Sequence, residues 1–151
     1  MLPYDLESSV GFWLFSTTHV YHRSLNEELS AHGITMRQWE VLVRLAGHGD
    51  MSQSDLAESM NIEAPTLVGV LDRMERDGWI QRVNDPSDRR RNLIRPTVKV
   101  APMWANMIEC AHRVRAIATQ NLTEEQVAAL HDTLSIMRES LEKKAAPTAG
   151  S

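Results

Sequence analysis

The chain has 151 residues, which is enough for one ordinary domain and too few for two. It is 42% hydrophobic and 24% charged, the balance of a soluble globular protein, and no apolar run approaches the roughly 18 residues of a membrane span. The first residues lack the basic-then-apolar order of a signal peptide, and the single cysteine excludes an internal disulfide framework. These features predict a cytoplasmic protein.

Motifs of the common enzyme classes are missing from the sequence. We find no Cys or His cluster with zinc spacing, no glycine-rich phosphate loop and no G-x-S-x-G turn. The adjacent carboxylates Glu124 and Glu125 belong to a helix start and are not a catalytic pair. The sequence therefore predicts no enzymatic activity, no cofactor and no bound metal.

The net charge of −4 conceals one basic segment. Between Arg82 and Lys99 the chain has six basic and two acidic residues, so this segment carries +4 and the rest of the chain −8. Such a segment is either a solvated loop or a surface for a polyanion, and its neighbours in the sequence must decide between the two.

Periodicity predicts one long first helix. Apolar residues repeat about every 3.6 positions from Leu6 to Leu29, and Gly33 follows the last of them. Phe12 and Phe15 lie on the opposite side of this helix. We therefore expect it to pack on two sides, one of them against another chain.

Two shorter helices are predicted next. Thr35 and Gln38 form the capping-box pattern that begins the second helix. Met51 predicts a short extended segment, after which Ser52 and Asp55 form the cap of a short third helix.

A fourth helix, from Pro65 to Asp77, has the features of a helix that reads DNA. Proline suits its first turn, and its inward stripe comprises Leu67, Leu71 and Met74. The opposite face is predicted to offer a phosphate contact, a close backbone approach, a thymine-methyl contact and a guanine contact, from Thr66, Gly69, Val70 and Arg73 respectively.

The sequence period changes after Gly78. Residues 79–83 and 92–95 are typical of two strands, joined by a polar turn rich in Asp, Pro and Arg. Arg89, Arg90 and Arg91 at this turn are suited to phosphates or to a narrow minor groove. Together with the fourth helix, this hairpin favours DNA binding over a solvated loop.

The last third of the sequence predicts two helices. Arg115 lies within the apolar stripe of the first, so we expect it to be buried against Glu27 or Glu28. Thr123 and Gln126 cap the second. Its apolar residues follow the 3-4-3-4 spacing of a helix-pairing seam: Val127, Leu130, Leu134, Met137 and Leu141.

This order of elements is that of a mainly α protein with a small β-hairpin wing, a winged helix-turn-helix flanked by terminal helices. We predict an N-terminal dimerisation helix in residues 1–33 and a DNA-binding lobe in residues 34–97. C-terminal dimerisation helices follow in residues 98–144, and a flexible tail in residues 145–151.

Several segments resemble the MarR/SlyA family of bacterial transcription regulators. They are residues 34–39 (Ile34-Thr35-x-x-Gln38-Trp39), 54–57 (Ser-Asp-Leu-Ala), 64–67 (Ala-Pro-Thr-Leu), 71–80 and 85–90. The resemblance implies a homodimer, held together by its first and last helices, that binds a pseudo-palindromic operator on double-stranded DNA. Such a protein is more often a repressor than an activator.

The resemblance also implies which residues contact DNA. It assigns Pro65, Thr66, Gly69, Val70 and Arg73 to a recognition helix and Asp88, Arg89 and Arg90 to a wing motif in which the aspartate orients an arginine. With the neighbouring polar residues, the predicted DNA-binding set is Ser52, Gln53, Pro65, Thr66, Gly69, Val70, Arg73, Asp88, Arg89, Arg90 and Arg91. Two positions depart from the family: many relatives carry a longer polar side chain in place of Gly69, and residues 97–100 lack the glycine usual after the wing.

Many members of this family release DNA when a small, often aromatic or anionic, ligand binds between the dimer helices and the DNA-binding lobe. Candidates for such a site here are Phe12, Trp13, Phe15, His19, Arg23, Trp39, Trp104, Met107 and Arg115. The same residues also suit the packing of a helix junction.

Three alternatives remain open from the sequence. His19 and His22, spaced as one half of a metal site, would need further ligands such as His112 or His131. Cys110 would be a redox-sensing thiol only if it were reactive rather than a small core residue. Finally, the winged helix would serve protein contact alone if DNA affinity lacked a steep dependence on salt.

Overall fold

The computed structural model describes residues 5–88 and 90–145. Within these residues the chain forms helices and one small antiparallel sheet, as the predicted mainly α fold with a wing requires. The elements are α1 (Val10–Ser30), α2 (Met36–His48), β1 (Met51–Ser52), α3 (Gln53–Met60), α4 (Ala64–Arg76), β2 (Ile80–Asn84), β3 (Asn92–Pro96), α5 (Val100–Thr119) and α6 (Glu124–Ala145). No described helix is long and apolar enough to cross a membrane.

The first helix begins later than its periodicity predicts. The carboxylate of Asp5 accepts the backbone N–H groups of Glu7 and Ser8, which forms a turn before the helix. The hydroxyl of Ser9 then accepts the N–H of Phe12 at 3.2 Å and begins α1. Leu6 therefore precedes the helix, because local side-chain hydrogen bonds outweigh the apolar repeat there.

The predicted caps of α2 and α3 are confirmed. Thr35 accepts the backbone N–H of Gln38 at 3.3 Å, and the Gln38 side chain accepts the N–H of Thr35 at 2.8 Å. The hydroxyl of Ser52 accepts the N–H of Asp55 at 3.2 Å at the start of α3. Asn61 ends α3 in the left-handed conformation, with φ of 50°.

The wing is part of a three-stranded sheet with strand order β1-β3-β2. The hairpin strands pair from Ile80 opposite Pro96 to Asn84 opposite Asn92. On its other side β3 pairs with the short β1, where Met51 lies opposite Ile94. The sheet therefore joins the wing to the start of α3.

One apolar core connects α1, the helix-turn-helix, the sheet and α5 as far as Val114. Twelve of its side chains are at most 2% exposed: Leu29, Ile34, Val41, Leu42, Leu56, Leu67, Leu71, Met74, Ile80, Ile94, Met107 and Cys110. Burial of each large apolar side chain contributes about 1.5–3 kcal/mol relative to exposure. This core holds α4 and the wing in a fixed relation.

The chain divides into two compact units, Met1–Val114 and Arg115–Ser151, with the division inside α5. The predicted DNA-binding lobe lies within the first unit. In the second unit, Thr123 and Gln126 form the predicted capping box of α6. Residues 146–151 of the predicted tail lie outside the described part of the chain.

Candidate nucleic-acid interface

The first three turns of α4 present an exposed face. Pro65 lies in the first turn, and Pro65, Thr66 and Arg73 are exposed. No described side chain caps the helix at Glu63. A helix N-terminus of this kind carries a partial positive charge, which favours contact with a phosphate.

Gly69 leaves room for the side chain of Arg73. A Cβ atom at position 69 would lie 3.7 Å from Nη1 of Arg73, so the guanidinium extends over the glycine along the helix face. Arg73 is exposed and forms no ion pair with another described residue. Its five donors are therefore available for an acceptor outside the chain.

The predicted position of Val70 on this exposed face, where it would contact a thymine methyl, is wrong. The residue is 5% exposed and belongs to the core. With Leu67, Leu71 and Met74 it completes the i, i+3, i+4, i+7 stripe that faces the interior of the lobe. That spacing is present in the sequence itself and assigns Val70 to the inward side.

Hydrogen bonds organise the turn of the wing. The carboxylate of Asp85 accepts both the backbone N–H of Ser87, at 2.8 Å, and its hydroxyl, at 2.6 Å. These two bonds, the hydroxyl bond first, lower the pKa of Asp85 from its ordinary value of 3.8. The backbone of Arg91 closes the turn, since its N–H donates to the carbonyl of Asp88 and its carbonyl accepts the N–H of Asp85, both at 2.9 Å.

Asp88 acts on the backbone of the turn. Its carboxylate accepts the N–H of Arg90 at 2.9 Å, and the Arg90 side chain is exposed. The predicted contact of Arg89 lies outside the described residues. The resemblance implied that the aspartate orients an arginine, and here the described bond fixes the main chain from which Arg90 projects.

Three arginines of the basic segment are paired with acids of the predicted DNA-binding lobe. Arg82 donates to Asp72 at 2.8 Å and pairs with Glu75, both on α4. Arg95 donates to Asp50 at 2.5 Å and 2.8 Å. The positive charge of the segment is therefore partly neutralised within the chain.

The third of these pairs involves two predicted DNA contacts, Arg91 and Ser52. Arg91 donates to the hydroxyl of Ser52 at 2.6 Å and forms an ion pair with Asp55. Ser52 is 3% exposed. Its hydroxyl is thus largely covered, and the guanidinium of Arg91 already has partners within the chain.

A polar cavity of about 290 Å³ lies between the start of α3 and the wing. Gln53, a predicted DNA contact that is partly exposed, is among its lining residues, with Ser52, Ser54, Arg82, Arg90, Arg91, Asn92 and Ile94.

A second cavity, of about 240 Å³, lies between α1 and α2. Its lining residues are Tyr21, His22, Leu25, Met36, Trp39, Glu40, Val43 and Arg44. The Nε of Arg44 is buried and has no hydrogen-bond partner among the described residues. An unpaired buried donor of this kind is costly unless a ligand or water supplies the acceptor. Sequence reasoning missed this cavity and its arginine.

Of the nine predicted effector residues, Trp39 lines this cavity. It stacks on Trp104 with ring centroids 5.5 Å apart, and Met107 lies in the core. Phe12, Trp13, Phe15, His19 and Arg23 are all exposed on α1 in the single chain.

The predicted burial of Arg115 is wrong. The residue is exposed, because the buried positions of α5 are Val100, Met107, Cys110 and Val114 and Arg115 falls beyond this stripe. Glu28, one of its two predicted partners, forms an ion pair with Arg113 at 2.8 Å.

The structure describes the surroundings of the two alternative sensors, the thiol of Cys110 and a histidine metal site. The thiol of Cys110 is buried and lies 3.7 Å from the carbonyl of Glu28. Among residues 5–88 and 90–145 no group of three or more His, Cys, Asp or Glu side chains is arranged to hold a metal ion.

Comparison with known proteins agrees with this architecture. The model of the MarR family matches residues 34–91. The HTH-type transcriptional regulator YfiV of Bacillus subtilis is 30% identical over 109 residues, which are 72% of this chain and 68% of that protein. The HTH-type transcriptional repressor NicR of Pseudomonas putida is 27% identical over 130 residues, or 85% of this chain and 82% of that protein.

The fold is also similar to that of a solved regulator. The crystal structure of transcriptional regulator PA3341 superposes with a TM-score of 0.82 and 30% sequence identity, covering 89% of this chain and 99% of that one. With a winged helix-turn-helix, an exposed face on α4 and relatives that are transcriptional regulators, the chain belongs to the MarR family of DNA-binding transcription regulators.

Proposed function

We propose that this protein is a homodimeric cytoplasmic repressor, without enzymatic activity, that binds a pseudo-palindromic operator and leaves it when a small organic anion binds. The observation that carries the DNA-binding part is a pair of exposed arginines, Arg73 on α4 and Arg90 on the wing, neither of which forms an ion pair with another described residue. Recognition helices of a two-fold dimer would enter successive major grooves about 34 Å apart. The name of the relative NicR, a transcriptional repressor, supports repression as the mode of regulation.

Each DNA contact has a distinct proposed role. Thr66 and Pro65 approach the phosphate backbone near the start of α4, and Gln53 does so from α3. Gly69 allows the helix to lie close to the groove. Arg73 donates to a guanine edge, and the wing arginines Arg89 and Arg90 contact phosphates or the minor groove.

The test of DNA recognition is a selection of bound duplexes from a random pool. We expect enrichment of a palindrome whose half-sites are about 10 base pairs apart, centre to centre. Arg73→Gln should cost about 1–3 kcal/mol of binding free energy at a half-site and relax the base preference there. The matched control is Arg138→Gln, which removes an exposed arginine of α6 and should leave affinity unchanged.

A winged helix that serves protein contact alone is the main rival. It predicts no enriched sequence and no steep fall of DNA affinity with salt, whereas the regulator loses affinity steeply as salt rises. Reversal of Arg89 and Arg90 to glutamate separates these two functions. Unchanged DNA affinity and an unchanged salt dependence in that variant would exclude the wing as a DNA contact.

Exposed apolar surface supports the homodimer. On α1 the side chains of Phe15 and Trp13 are 82% and 56% exposed in the single chain. On α6 the residues Leu130, Leu134 and Leu141 of the predicted seam are 45%, 39% and 67% exposed. Large exposed apolar side chains at helical spacing are typical of surfaces that a partner covers.

The cavity between α1 and α2 supports an anionic effector. The Nε of Arg44 needs an acceptor, and a carboxylate would supply one with a charge-assisted hydrogen bond. Trp39 offers an aromatic wall to an arene. A cavity of about 240 Å³ lies below the usual ~300–1,000 Å³ of ligand sites, so a single-ring acid fits better than its thioester.

Effector binding is tested with benzoate, 4-hydroxybenzoate and their thioesters, added to the protein on its selected operator. We expect a single-ring acid to release the DNA by favouring a conformation with lower operator affinity. Arg44→Met should abolish this release while the affinity of the ligand-free protein for DNA is retained. Release that persists in Arg44→Met would show that the anion binds elsewhere.

A further inference from the structure

Two neighbouring arginines of the wing have very different surroundings. Arg90 is exposed and forms no ion pair with another described residue, whereas Arg91 is held by Ser52 and Asp55. We propose that Arg91 is a positioning residue: it fixes the wing against the start of α3 so that Arg90 reaches the DNA, and does not contact DNA itself. This inference rests on the proposed function, in which the wing binds DNA.

The contacts of Arg91 couple the turn of the wing to the helix-turn-helix. Its backbone closes the turn through Asp85 and Asp88, at 2.9 Å in each case. Its guanidinium reaches residues 39 and 36 positions earlier in the chain, Ser52 and Asp55. Displacement of the turn therefore breaks these side-chain interactions, and their removal frees the turn.

The hydroxyl of Ser52 is already saturated by these contacts. It accepts the N–H of Asp55 at 3.2 Å and the guanidinium of Arg91 at 2.6 Å, which occupy both lone pairs. Its own proton is then left for the hydroxyl of Ser54, 3.0 Å away. The hydroxyl therefore has no lone pair left for a further donor, and both of the bonds that it accepts fix the start of α3 or the wing.

The two possible roles of Arg91, positioning the wing and contacting DNA directly, predict opposite effects of Asp55→Asn on DNA affinity. If Arg91 bound a phosphate, Asp55 would compete for its guanidinium, and Asp55→Asn would strengthen DNA binding. If Arg91 positions the wing, the same substitution loosens the turn and weakens binding. The side chains of Arg91 and Asp55 are 42% and 52% exposed, and exposed ion pairs add little to global stability, so the variants should remain folded.

The experiment measures the affinity of wild type and variants for the selected operator duplex across a salt series. We expect Asp55→Asn and Arg91→Ala each to weaken binding roughly three- to tenfold, and the double variant no more than either alone, as for two residues of one interaction. The salt slope should stay unchanged in Arg91→Ala. In the neighbouring variant Arg90→Ala it should become shallower by about 0.9 for each phosphate that the protein no longer neutralises.

The matched control is Glu58→Gln, which removes one negative charge from the same helix at an exposed residue. It should not weaken binding. Hydrogen exchange at the amides of residues 85–91 gives a second readout, and faster exchange in Arg91→Ala and Asp55→Asn is expected. Stronger binding by Asp55→Asn, or a shallower salt slope in Arg91→Ala, would overturn the proposal, whereas failure of the wild type to bind any duplex would refute the proposed function instead.

Discussion

Two glycines of the lobe have opposite conformational requirements. Gly69 lies in the middle of α4, where a Cβ would meet Arg73 Nη1 at an ordinary van der Waals distance of 3.7 Å. Gly78, just after α4, has φ of +77°, a conformation that residues with a Cβ rarely adopt. The first glycine is thus dispensable for the fold, while the second ends the helix.

We expect Gly69→Ala to raise the free energy of unfolding by about 0.5–1 kcal/mol, because alanine loses less backbone entropy in a helix. Gly78→Ala should lower it by about 1–2 kcal/mol, the cost of left-handed backbone for a residue with a Cβ. Urea unfolding of the two variants beside wild type measures both effects. A loss of stability in Gly69→Ala would contradict the room that the structure leaves for a Cβ at this position.

Val70 and Arg91 show which features of single residues the sequence can predict and which it cannot. The inward position of Val70 follows from its spacing to Leu67, Leu71 and Met74, so it was predictable. The contacts of Arg91 were not, because Ser52 and Asp55 are distant in sequence and no local pattern relates them to the wing. Burial of polar groups by distant elements is a property of the folded chain alone.

The turn of the wing is an element whose order depends on an ionised carboxylate. Ser87 stabilises the charged form of Asp85 through its hydroxyl and its N–H, and the pKa of Asp85 is therefore lowered. A carboxyl with a lowered pKa stabilises the folded state above its ordinary pKa. That contribution is lost as the pH falls through the lowered value, so the turn loosens only in strong acid.

Substitution of Ser87 by alanine should raise the pKa of Asp85 toward 3.8, because the hydroxyl bond is the larger of the two causes. Carboxyl carbon NMR over a pH titration measures this directly. Ser140→Ala, which removes a hydroxyl from exposed α6, is the control and should leave Asp85 unchanged. Equal pKa values in wild type and Ser87→Ala would contradict the hydrogen-bond geometry of the turn.

Most element boundaries followed from local chemistry, and for this reason the sequence predicted them well. The cap at Thr35 and the period change after Gly78 both lie where the structure has a boundary. The start of α1 was missed because Asp5 forms a turn that interrupts the apolar repeat. The pairing of β1 with β3 was also missed, since two residues are too short for a strand pattern.

At the scale of the whole molecule, exposed aromatic surface on α1 predicts association. Phe15 is 82% exposed and contributes little to the core of one chain. Substitution by aspartate should weaken the proposed dimer by at least tenfold in dissociation constant, because burial of an aromatic ring is worth about 1.5–3 kcal/mol and a buried charge adds a cost. Sedimentation equilibrium measures the change.

The control for this experiment is Asn26→Asp, which adds the same negative charge to the same helix at an exposed position. It should leave the dissociation constant close to that of wild type. If Phe15→Asp and Asn26→Asp behaved alike, the N-terminal half of α1 would lie outside the interface.

The antiparallel pairing of Met51 with Ile94 bears on how the chain folds during its synthesis. A ribosome releases α2, α3 and α4 before Ile94 and Val100, both of which belong to the buried core. Contacts between residues so far apart close last, and an unpaired strand edge with an incomplete core is prone to aggregate. The lobe therefore becomes stable only after α5 has emerged as far as its buried residues Met107 and Cys110. A fragment that ends with α4 would not be a minimal DNA-binding module, and the lobe must be transplanted into a fusion protein as one piece from α1 into α5, because Leu29 of α1 belongs to the same core.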